Sequence, residues 1–204
     1  MLIDLDKATP AQAYFHMGQT LVPRPIAWVL SENENHSYNL APFSYFSAIC
    51  SDPPILMFSI GRRPDGTAKD TLVNIREREH FVVQIAHSGQ LDALNASAAG
   101  LAPGASEVTE LELATRALGD FGLPRLSGAR IAYACERYRI DQIGNQAQSL
   151  VFGRIRTVYL DDEIVEETAN GRLKVDNRKL DPLARLGANE YLSKGQVVTL
   201  RRPD

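Results

Sequence analysis

The sequence predicts a mainly β protein, an antiparallel barrel with inserted helices. Short strand-like runs follow one another across polar or glycine-rich turns, as they do in antiparallel sheets. The helical patterns lie in the middle of the chain and do not alternate regularly with the strands, which argues against a parallel sheet. With 204 residues the chain can bury a substantial core. No repeat or break in composition divides it, so we expect residues 1–204 to form one domain.

The first elements are predicted to be a short helix and a hairpin. Thr9 suits the N-cap, Pro10 suits the first helical position, and Gly18 lies near the expected end. Two strand-like runs then flank the polar turn "ENENH", namely "PIAWVLS" and "SYNLA". Since β-branched and aromatic residues favour strands, these runs predict a β-hairpin.

The stretch "NLAPFSYFSAICSDPPILMFSI", residues 39–60, is apolar, rich in serine and aromatic residues, and interrupted by three prolines. Its last part, "PPILMFSI", predicts a buried strand. Proline cannot donate to a sheet ladder. For the part around Ser44 to Ile49 we therefore expect an irregular segment whose backbone N–H and C=O groups remain free.

The rest of the chain predicts a helix, a strand, a second helix, an acidic helix within the loop-rich region 100–128, two long strands, a helical turn and a last strand. Ala68, Leu72 and Ile75 share one face of the first of these helices, and Ser88 is the expected cap of the second. The segments are "AKDTLVNIRERE", "FVVQIA", "GQLDALNASAA", "SEVTELELATRAL", "ARIAYACERYRI", "SLVFGRIRTVYL", "DPLARLGANEYLS" and "QVVTLRR".

Composition argues against several classes of protein. A net charge of −3 provides no basic face for nucleic acid. The start "MLIDLDKATPAQ" does not resemble a secretory signal, and no apolar run is long enough to span a membrane, so we expect a cytoplasmic protein. Cys50 and Cys135 are far apart and the four histidines are scattered, which predicts neither a disulfide framework nor a metal site.

Two segments and two arginines are candidates for ligand binding. Lys69 begins a predicted helix, a position where the helix dipole disfavours a cation. A bound anion would reverse this penalty, because the free N–H groups, Lys69 and the Thr71 hydroxyl would all contact it. The alternative is an ordinary surface lysine. The segment around Ser44 to Ile49 suits a planar heteroaromatic ligand, and the alternative is a packed turn. Arg24 and Arg185 are either placed cations or surface charges. No pattern typical of a hydrolase stands out, so the residues favour a cofactor-binding barrel.

Taken in order, these segments resemble the flavin reductase-like family of FMN-binding split barrels. The resemblance runs through "VPRPIAWVLS", "YNLAPFSYFSAICSDPPILMFSIG" and "KDTLVNIREREHFVVQI", and resumes at "VFGRI" and "DPLARLGANEYLSKGQVVTLRRP". The combination is specific, although each motif by itself is weak. It implies an antiparallel split β-barrel, a homodimer with flavin sites near the subunit interface, and FMN rather than FAD as cofactor.

The resemblance also implies which residues form the site. In the family, one segment lies along the isoalloxazine ring of the flavin, and it corresponds here to Ser44, Tyr45, Phe46, Ser47, Ala48 and Ile49. The residues at the flavin phosphate correspond to Lys69, Asp70 and Thr71. The segment around Arg185 and Tyr191 is expected to close over the flavin. Many reductases of the family place a histidine on the strand facing the nicotinamide, where this chain has Gln148.

The implied reaction is hydride transfer from NADH or NADPH to flavin, in which the cofactor carries the chemistry and the protein positions it. A partner monooxygenase would receive the reduced flavin. Two alternatives stay open: an electron carrier with tightly bound FMN, reduced by a protein partner as in flavoredoxin, and a flavin-binding protein without turnover. Gln148 bears on this choice, because a chain without the histidine could use its reductant differently.

Overall fold

The computed structural model describes residues 1–146, 148–168, 170–201 and 203. The helices are α1 (Pro10–Thr20), α2 (Asp70–Arg78), α3 (Leu91–Ala96), α4 (Glu107–Glu110) and α5 (Asn177–Leu180), with 3₁₀ turns at Leu5–Lys7, Ser88–Gln90 and Asp162–Ile164. The strands are β1 (Arg24–Pro25), β2 (Ala27–Glu32), β3 (Tyr38–Phe43), β4 (Phe46–Ser51), β5 (Pro54–Ile60), β6 (His80–Ile85), β7 (Thr115–Leu118), β8 (Phe121–Leu126), β9 (Ile131–Ile143), β10 (Gln148–Leu160), β11 (Val165–Glu167), β12 (Leu173–Val175), β13 (Ala184–Arg185) and β14 (Tyr191–Leu192).

The main sheet has seven strands in the order β3-β2-β6-β9-β10-β5-β4, and every neighbouring pair is antiparallel. The predicted mainly β, antiparallel fold with inserted helices is confirmed. The long strands β9 and β10 pair along most of their length with two register shifts, and such irregularities increase the local twist of a sheet. Strands β3 and β4 end the sheet, so each has a partner on one side only among the described residues.

Both faces of the sheet are buried. Along β2, Trp28 and Leu30 belong to one apolar cluster, whereas Ala27 and Val29 belong to the other. This alternation follows from the period of two in a strand. Leu72 of α2 packs into the second cluster, while the first includes residues of α3 and of the β7–β8 hairpin. The start of α2 is thereby held against β2 and β3.

Several predicted elements are confirmed. Helix α1 begins after Thr9, whose hydroxyl accepts from the Gln12 N–H while the Gln12 side chain accepts from the Thr9 N–H. Such a capping box satisfies two N–H groups that the helix leaves unpaired. The hairpin of β2 and β3, helix α2, and the long strands β9 and β10 also occur where they were expected.

The prediction of an irregular segment between Ser44 and Ile49 is wrong for most of its length. Residues 39–60 contain β3 except its first residue, Tyr38, and all of β4 and β5. The prolines are tolerated because Pro42 lies in an edge strand and Pro54 is the first residue of β5. Strand β4 still leaves its outer backbone edge without a partner strand among the described residues.

The acidic helix predicted from "SEVTELELATRAL" is also wrong beyond Glu107–Glu110. Its second half is β7, which forms a hairpin with β8 around Gly119, where φ is +54°. Glycine followed by aspartate is a hairpin-turn signal, so the sequence held this information. The sheet contacts of the hairpin therefore prevail over the helical propensity of this segment.

Three predictions near the ends of elements need correction. His87, not Ser88, caps the 3₁₀ turn before α3, and the Ser88 hydroxyl instead contacts Asp181. The expected helical turn near residue 190 is a small hairpin of β13 and β14. Residues 196–201 of the predicted last strand form no strand, because none of the described residues pairs with them, and residue 202 lies outside the described part.

Candidate functional site

A cleft of about 700 Å³ opens where β3, the turn after β5, the start of α2 and the end of α3 meet. Lys69, Asp70 and Thr71, which the sequence analysis selected, all lie in its wall. Its other lining residues are Asn39, Ala41, Pro42, Phe43, Arg62, Arg63, Pro64, Asp65, Ser97, Ala98, Ala99, Gly100, Leu101 and Glu107. We call this space the first cleft.

The start of α2 places unpaired backbone donors in the wall of the first cleft. Lys69 occupies the N-cap position, and no side chain caps the helix. The first N–H groups of an α-helix have no partner inside the helix, and they carry the positive end of its dipole. An uncapped start of a nine-residue helix in the wall of a cleft therefore presents backbone donors to a bound anion.

Two cations lie beside these donors. Partial burial lowers the pKa of Lys69, and the nearby Arg63 guanidinium lowers it further. The Lys69 ammonium lies 5.8 Å from the centre of the Phe43 ring. Asp70 compensates Arg63 through an ion pair, whereas Lys69 has lost part of its hydration, and a bound anion would compensate Lys69.

A buried network holds Thr71 in place. The Asn39 side-chain amide donates to the Thr71 hydroxyl oxygen over 2.8 Å and to the Ser31 hydroxyl over 3.3 Å. The Asn74 amide donates to the same Ser31 hydroxyl and to Asn33. The Thr71 oxygen accepts from Asn39, and its hydroxyl keeps one hydrogen to donate. Since Thr71 is 1% exposed, this donor could serve only a ligand held against the cleft wall.

Asp70 has a different role from its two neighbours. Its carboxylate accepts a hydrogen bond from the Arg63 guanidinium at 2.5 Å, and Arg63 also donates to the Leu101 carbonyl over 3.4 Å. Asp70 thus ties the turn after β5 to α2 and to the loop beyond α3. We assign it the positioning of Arg63 rather than direct contact with an anion.

Glu107 was missed by the sequence analysis, although it lies in the same cleft. It is 6% exposed, and its carboxylate accepts from the Leu40 N–H over 2.8 Å. Burial raises the pKa of this carboxyl, and the neighbouring Asp70 raises it further. Since burial disfavours the charged form of a carboxyl group, Glu107 ionises less readily than an exposed glutamate would.

Strand β4 presents the second part of the predicted site. Ser47, Ala48 and Ile49 are exposed, and the pairing of β4 with β5 shifts register between Ala48 and Cys50. Phe46 is half-buried against the core. The strand follows Phe43 of the first cleft after a two-residue turn, so the exposed edge continues from the cleft wall.

Tyr45 lies between this edge and α1. Its ring centre is 6.3 Å from that of Tyr14, and its hydroxyl is buried without a hydrogen-bond partner among the described residues. Burial raises the pKa of Tyr45, and the nearby Tyr14 raises it further. Its phenol therefore stays protonated at neutral pH and has a hydrogen bond to offer.

Arg24 connects three of the predicted segments. Its guanidinium donates to the Leu186 carbonyl over 2.9 Å, to the Leu21 carbonyl over 2.6 Å, and to the Ser44 hydroxyl over 3.4 Å. Its backbone pairs with that of Arg185. Arg24 is therefore neither a cation free to bind a ligand nor a loose surface charge, which were the two alternatives. It joins the segments of Leu21, Ser44 and Leu186 through hydrogen bonds.

Arg185 lies next to Arg24 but not in the first cleft. Its guanidinium stacks over the Tyr191 ring, 4.6 Å from the ring centre, and donates to the Ala188 carbonyl. Since Arg24 contacts both Ser44 and the backbone of Arg185, Arg185 lies near the Ser44 end of the candidate site. It does not line the first cleft, where Lys69 lies.

Gln148 lies in a second cleft of about 500 Å³. This second cleft shares Arg62, Arg63 and Pro64 with the first, so the two adjoin along one turn. Its other lining residues are Gly66, Asn145, Gln146 and Gln148. The sequence analysis missed Arg62 and Arg63; two consecutive arginines in a Gly/Pro turn before an uncapped helix were the available signal.

Other kinds of site find little support in the described part of the chain. No cluster of three or more His, Cys, Asp or Glu side chains there could hold a metal ion. No helix among the same residues combines the length and apolarity needed to cross a membrane. Cys135 is buried, which raises its thiol pKa far above the usual range, whereas Cys50 is exposed.

The chain is similar to several solved structures over nearly its whole length. Nitrilotriacetate monooxygenase component B from Bacillus cereus has a TM-score of 0.89 at 28% identity, with 98% of each chain covered. The 2-nitrobenzoate 2-nitroreductase NbaA of Pseudomonas fluorescens has a TM-score of 0.88 at 30% identity, covering 100% of this chain and 96% of its own. A split-barrel protein of Shewanella frigidimarina, at 18% identity, shows the same fold with a TM-score of 0.82, covering 98% of this chain and 96% of its own.

These similarities confirm the split barrel expected from the sequence. The model of the flavin reductase like domain matches residues 17–183, which contain both clefts and the exposed edge of β4. The chain belongs to the flavin reductase-like family.

Proposed function

We propose that this protein is an FMN-binding flavin reductase that transfers a hydride from a nicotinamide dinucleotide to flavin. The observation that carries the proposal is the uncapped start of α2 with Lys69 in the wall of the first cleft, in a chain of the flavin reductase-like family. A single phosphate ester suits this arrangement of backbone donors, one ammonium and one free hydroxyl. FMN carries such a group, whereas the pyrophosphate and adenosine of FAD would need more space.

The described residues fit FMN at both ends. Lys69, Thr71 and the N–H groups at the start of α2 would hold the phosphate. The segment from Ser44 to Ile49, which includes the first part of β4, would hold the isoalloxazine ring, because it offers apolar side chains together with backbone groups on the outer edge of the sheet. Bound flavin would supply the hydride-accepting chemistry, and the protein would orient the ring and exclude water.

The proposed reaction does not depend on an acid–base pair in the site, because hydride transfer to flavin needs little proton chemistry from side chains. Gln148 would face the nicotinamide side with an uncharged amide. We therefore expect NADH or NADPH to serve as co-substrate despite the missing histidine. The expected cytoplasmic location stays a prediction.

We also propose a homodimer. Helix α1 has no buried residue in the single chain, and Tyr14 and Phe15 of this helix are 69% and 55% exposed. Ile49 on the nearby edge of β4 is 49% exposed. Large apolar side chains concentrated on one element commonly mark an interface, and covering them would also enclose the flavin. Light scattering on the purified protein should give a mass near 45 kDa, twice the 22.5 kDa of one chain; a mass of one chain would contradict this proposal.

A monooxygenase is the proposed recipient of reduced flavin. The support is the similarity to nitrilotriacetate monooxygenase component B, which is named as one component of such a system. An electron-transfer protein is the alternative partner, and it would require flavin that stays bound between turnovers.

The absorbance spectrum of the purified protein, followed anaerobically while NADH or NADPH is added, tests the reductase. A flavin spectrum that bleaches on a catalytic timescale supports the proposal. A spectrum bleached by dithionite but by neither nicotinamide favours the electron carrier. If the protein neither contains nor takes up FMN, the proposal is wrong, and the similarity to the family is one of fold only.

A binding experiment tests the phosphate assignment separately. Lys69→Ala should weaken FMN binding about tenfold and leave riboflavin binding nearly unchanged. The reason is that the substitution removes a charge-assisted contact to the phosphate, which FMN has and riboflavin lacks. Lys174→Ala, which removes an exposed lysine of β12, is the matched control. Equal losses for FMN and riboflavin in a fluorescence titration would remove Lys69 from the phosphate site.

A further inference from the structure

The second cleft differs from the first in its charge. The first cleft is lined by three carboxylates, those of Asp65, Asp70 and Glu107. None of the described residues that line the second cleft has a carboxylate. Two guanidinium groups and three side-chain amides line it instead, and Pro64 supplies its apolar surface. Such a lining suits a polar anion rather than an apolar ligand.

The two arginines of the second cleft are not equivalent. Arg63 is already paired with Asp70. Arg62 donates one hydrogen bond to the Gly66 carbonyl over 2.8 Å and makes no ion pair among the described residues. This bond fixes the direction of the guanidinium within the turn, because one nitrogen is held by the backbone. The remaining N–H donors form a fork of the kind that binds phosphate bidentately.

The position of the second cleft identifies what kind of anion it would bind. It adjoins the first cleft along Arg62, Arg63 and Pro64, so a ligand in it lies beside the proposed flavin phosphate without competing for Lys69. Its volume of about 500 Å³ matches a nucleotide-sized ligand. Gln148, on the predicted nicotinamide side, lines the same cleft.

We propose that the second cleft binds the adenosine end of the reductant and that Arg62 contacts its 2′-phosphate, which makes NADPH the preferred hydride donor. An arginine commonly accommodates the 2′-phosphate that distinguishes NADPH from NADH. A guanidinium without an ion pair among the described residues suits one terminal phosphate. The amides of Asn145 and Gln146 provide donors and acceptors for ribose and adenine, and Gln148 stays on the nicotinamide side of the cleft. The identity of the ligand rests on the proposed function; the preference of the cleft for a phosphate does not.

Fragments of the two dinucleotides test the site without turnover. Binding of 2′,5′-ADP and of 5′-ADP is measured by calorimetry at low salt on the FMN-loaded protein, its Arg62→Ala variant and an Arg116→Ala control. Arg116 lies on the exposed face of β7, outside both clefts. The parent protein and the control should bind 2′,5′-ADP about tenfold more tightly than 5′-ADP, and Arg62→Ala should reduce the ratio to near one.

Equal binding of the two fragments to the parent protein, binding of neither, or an unchanged ratio in Arg62→Ala would overturn the inference. Anaerobic flavin reduction by NADPH and NADH then separates the two proposals. If both reduce the flavin with equal kcat/KM and Arg62→Ala changes neither, the reductase stands and the 2′-phosphate site falls. If neither reduces it but the fragment preference depends on Arg62, the phosphate site stands and the reductase falls.

Discussion

Gly153 lies at a crowded point of the sheet, and we expect that adding a single methyl group there lowers the stability of the protein. A Cβ atom at this position of β10 would come within 2.4 Å of Cζ of Phe81 and within 3.4 Å of Cδ1 of Leu56. Phe81 is fully buried and packs edge-on against Phe58, with the ring centres 5.7 Å apart. Because Phe81 has no free space to move into, the Gly153→Ala substitution must displace the core around it.

The expected cost follows from these contacts. Overpacking a close-packed core by one methyl group typically costs about 1–3 kcal/mol. Replacing glycine within a strand recovers roughly 0.5–1 kcal/mol of backbone entropy. A contact of 2.4 Å to a buried ring belongs in the upper part of the overpacking range, about 2–3 kcal/mol. After the gain in backbone entropy, the free energy of unfolding should fall by about 1–2 kcal/mol in Gly153→Ala. For a domain of this size that corresponds to a decrease in Tm of about 2–8 °C.

The assay is thermal and denaturant unfolding followed by the fluorescence of Trp28, the single tryptophan, which is 1% exposed. Gly122→Ala in β8 is the matched control, since a Cβ there would meet no atom within 4 Å. The control should leave Tm unchanged or raise it slightly. In a Phe81→Leu background, which removes the ring atoms that clash, Gly153→Ala should cost at least about 0.5 kcal/mol less than in the parent protein.

Two results would refute this reasoning. Equal Tm values for Gly153→Ala and Gly122→Ala would show that the core accepts the methyl group without displacement. A cost of Gly153→Ala that is the same with phenylalanine and with leucine at position 81 would show that Phe81 is not the group that limits the space.

Three further predictions concern stability. Because the pKa of Glu107 is raised in the folded state, this group stabilises the protein below pH 4.5, its ordinary pKa, and the stabilisation is lost as pH rises and the folded carboxyl ionises. Glu107→Gln should therefore remove this part of the decrease in stability above pH 4.5. The Leu40 N–H keeps an acceptor in this variant, and urea unfolding at several pH values that matches the parent protein throughout would contradict the prediction. Ser97→Ala should cost about 1–3 kcal/mol, because it leaves the buried Trp28 indole N–H without its acceptor at 2.9 Å; an unchanged denaturation midpoint would count against it. Thr9→Ala should cost about 1 kcal/mol of local stability in α1, seen as faster amide exchange there, and unaltered exchange would show that the capping box contributes nothing.

Much of the local structure could be predicted from the sequence because it depends on near neighbours. Thr9 and Pro10 define the start of α1, and the β-branched and aromatic residues around Trp28 define a strand. The position of Lys69 at a helix start likewise follows from residues next to it. The hairpin of β7 and β8 had a local signal at Gly119 too, but the helical propensity of the flanking residues obscured it.

The family motifs located most of the candidate site, but not the contacts within it. Asp70 stands between Lys69 and Thr71 in the chain, yet it pairs with Arg63, seven residues earlier. Glu107 enters the first cleft through a bond to Leu40, 67 residues away. Neither partner follows from spacing or composition, because each is selected by which loops meet at the end of the sheet.

The sequence by itself determined the class of fold, the cap of α1, the hairpin of β2 and β3 and the chemical types available for an anion site. Tertiary structure decided that β4 lies at the edge of the sheet and that Arg24 joins Ser44 to the segment of Arg185. It also decided that Arg62 lies between two adjoining clefts, without an ion pair to any described residue. The physical reason is the range of the interactions involved. Caps and turns depend on groups a few residues apart, whereas edges, clefts and ion pairs depend on strands and loops that only folding brings together.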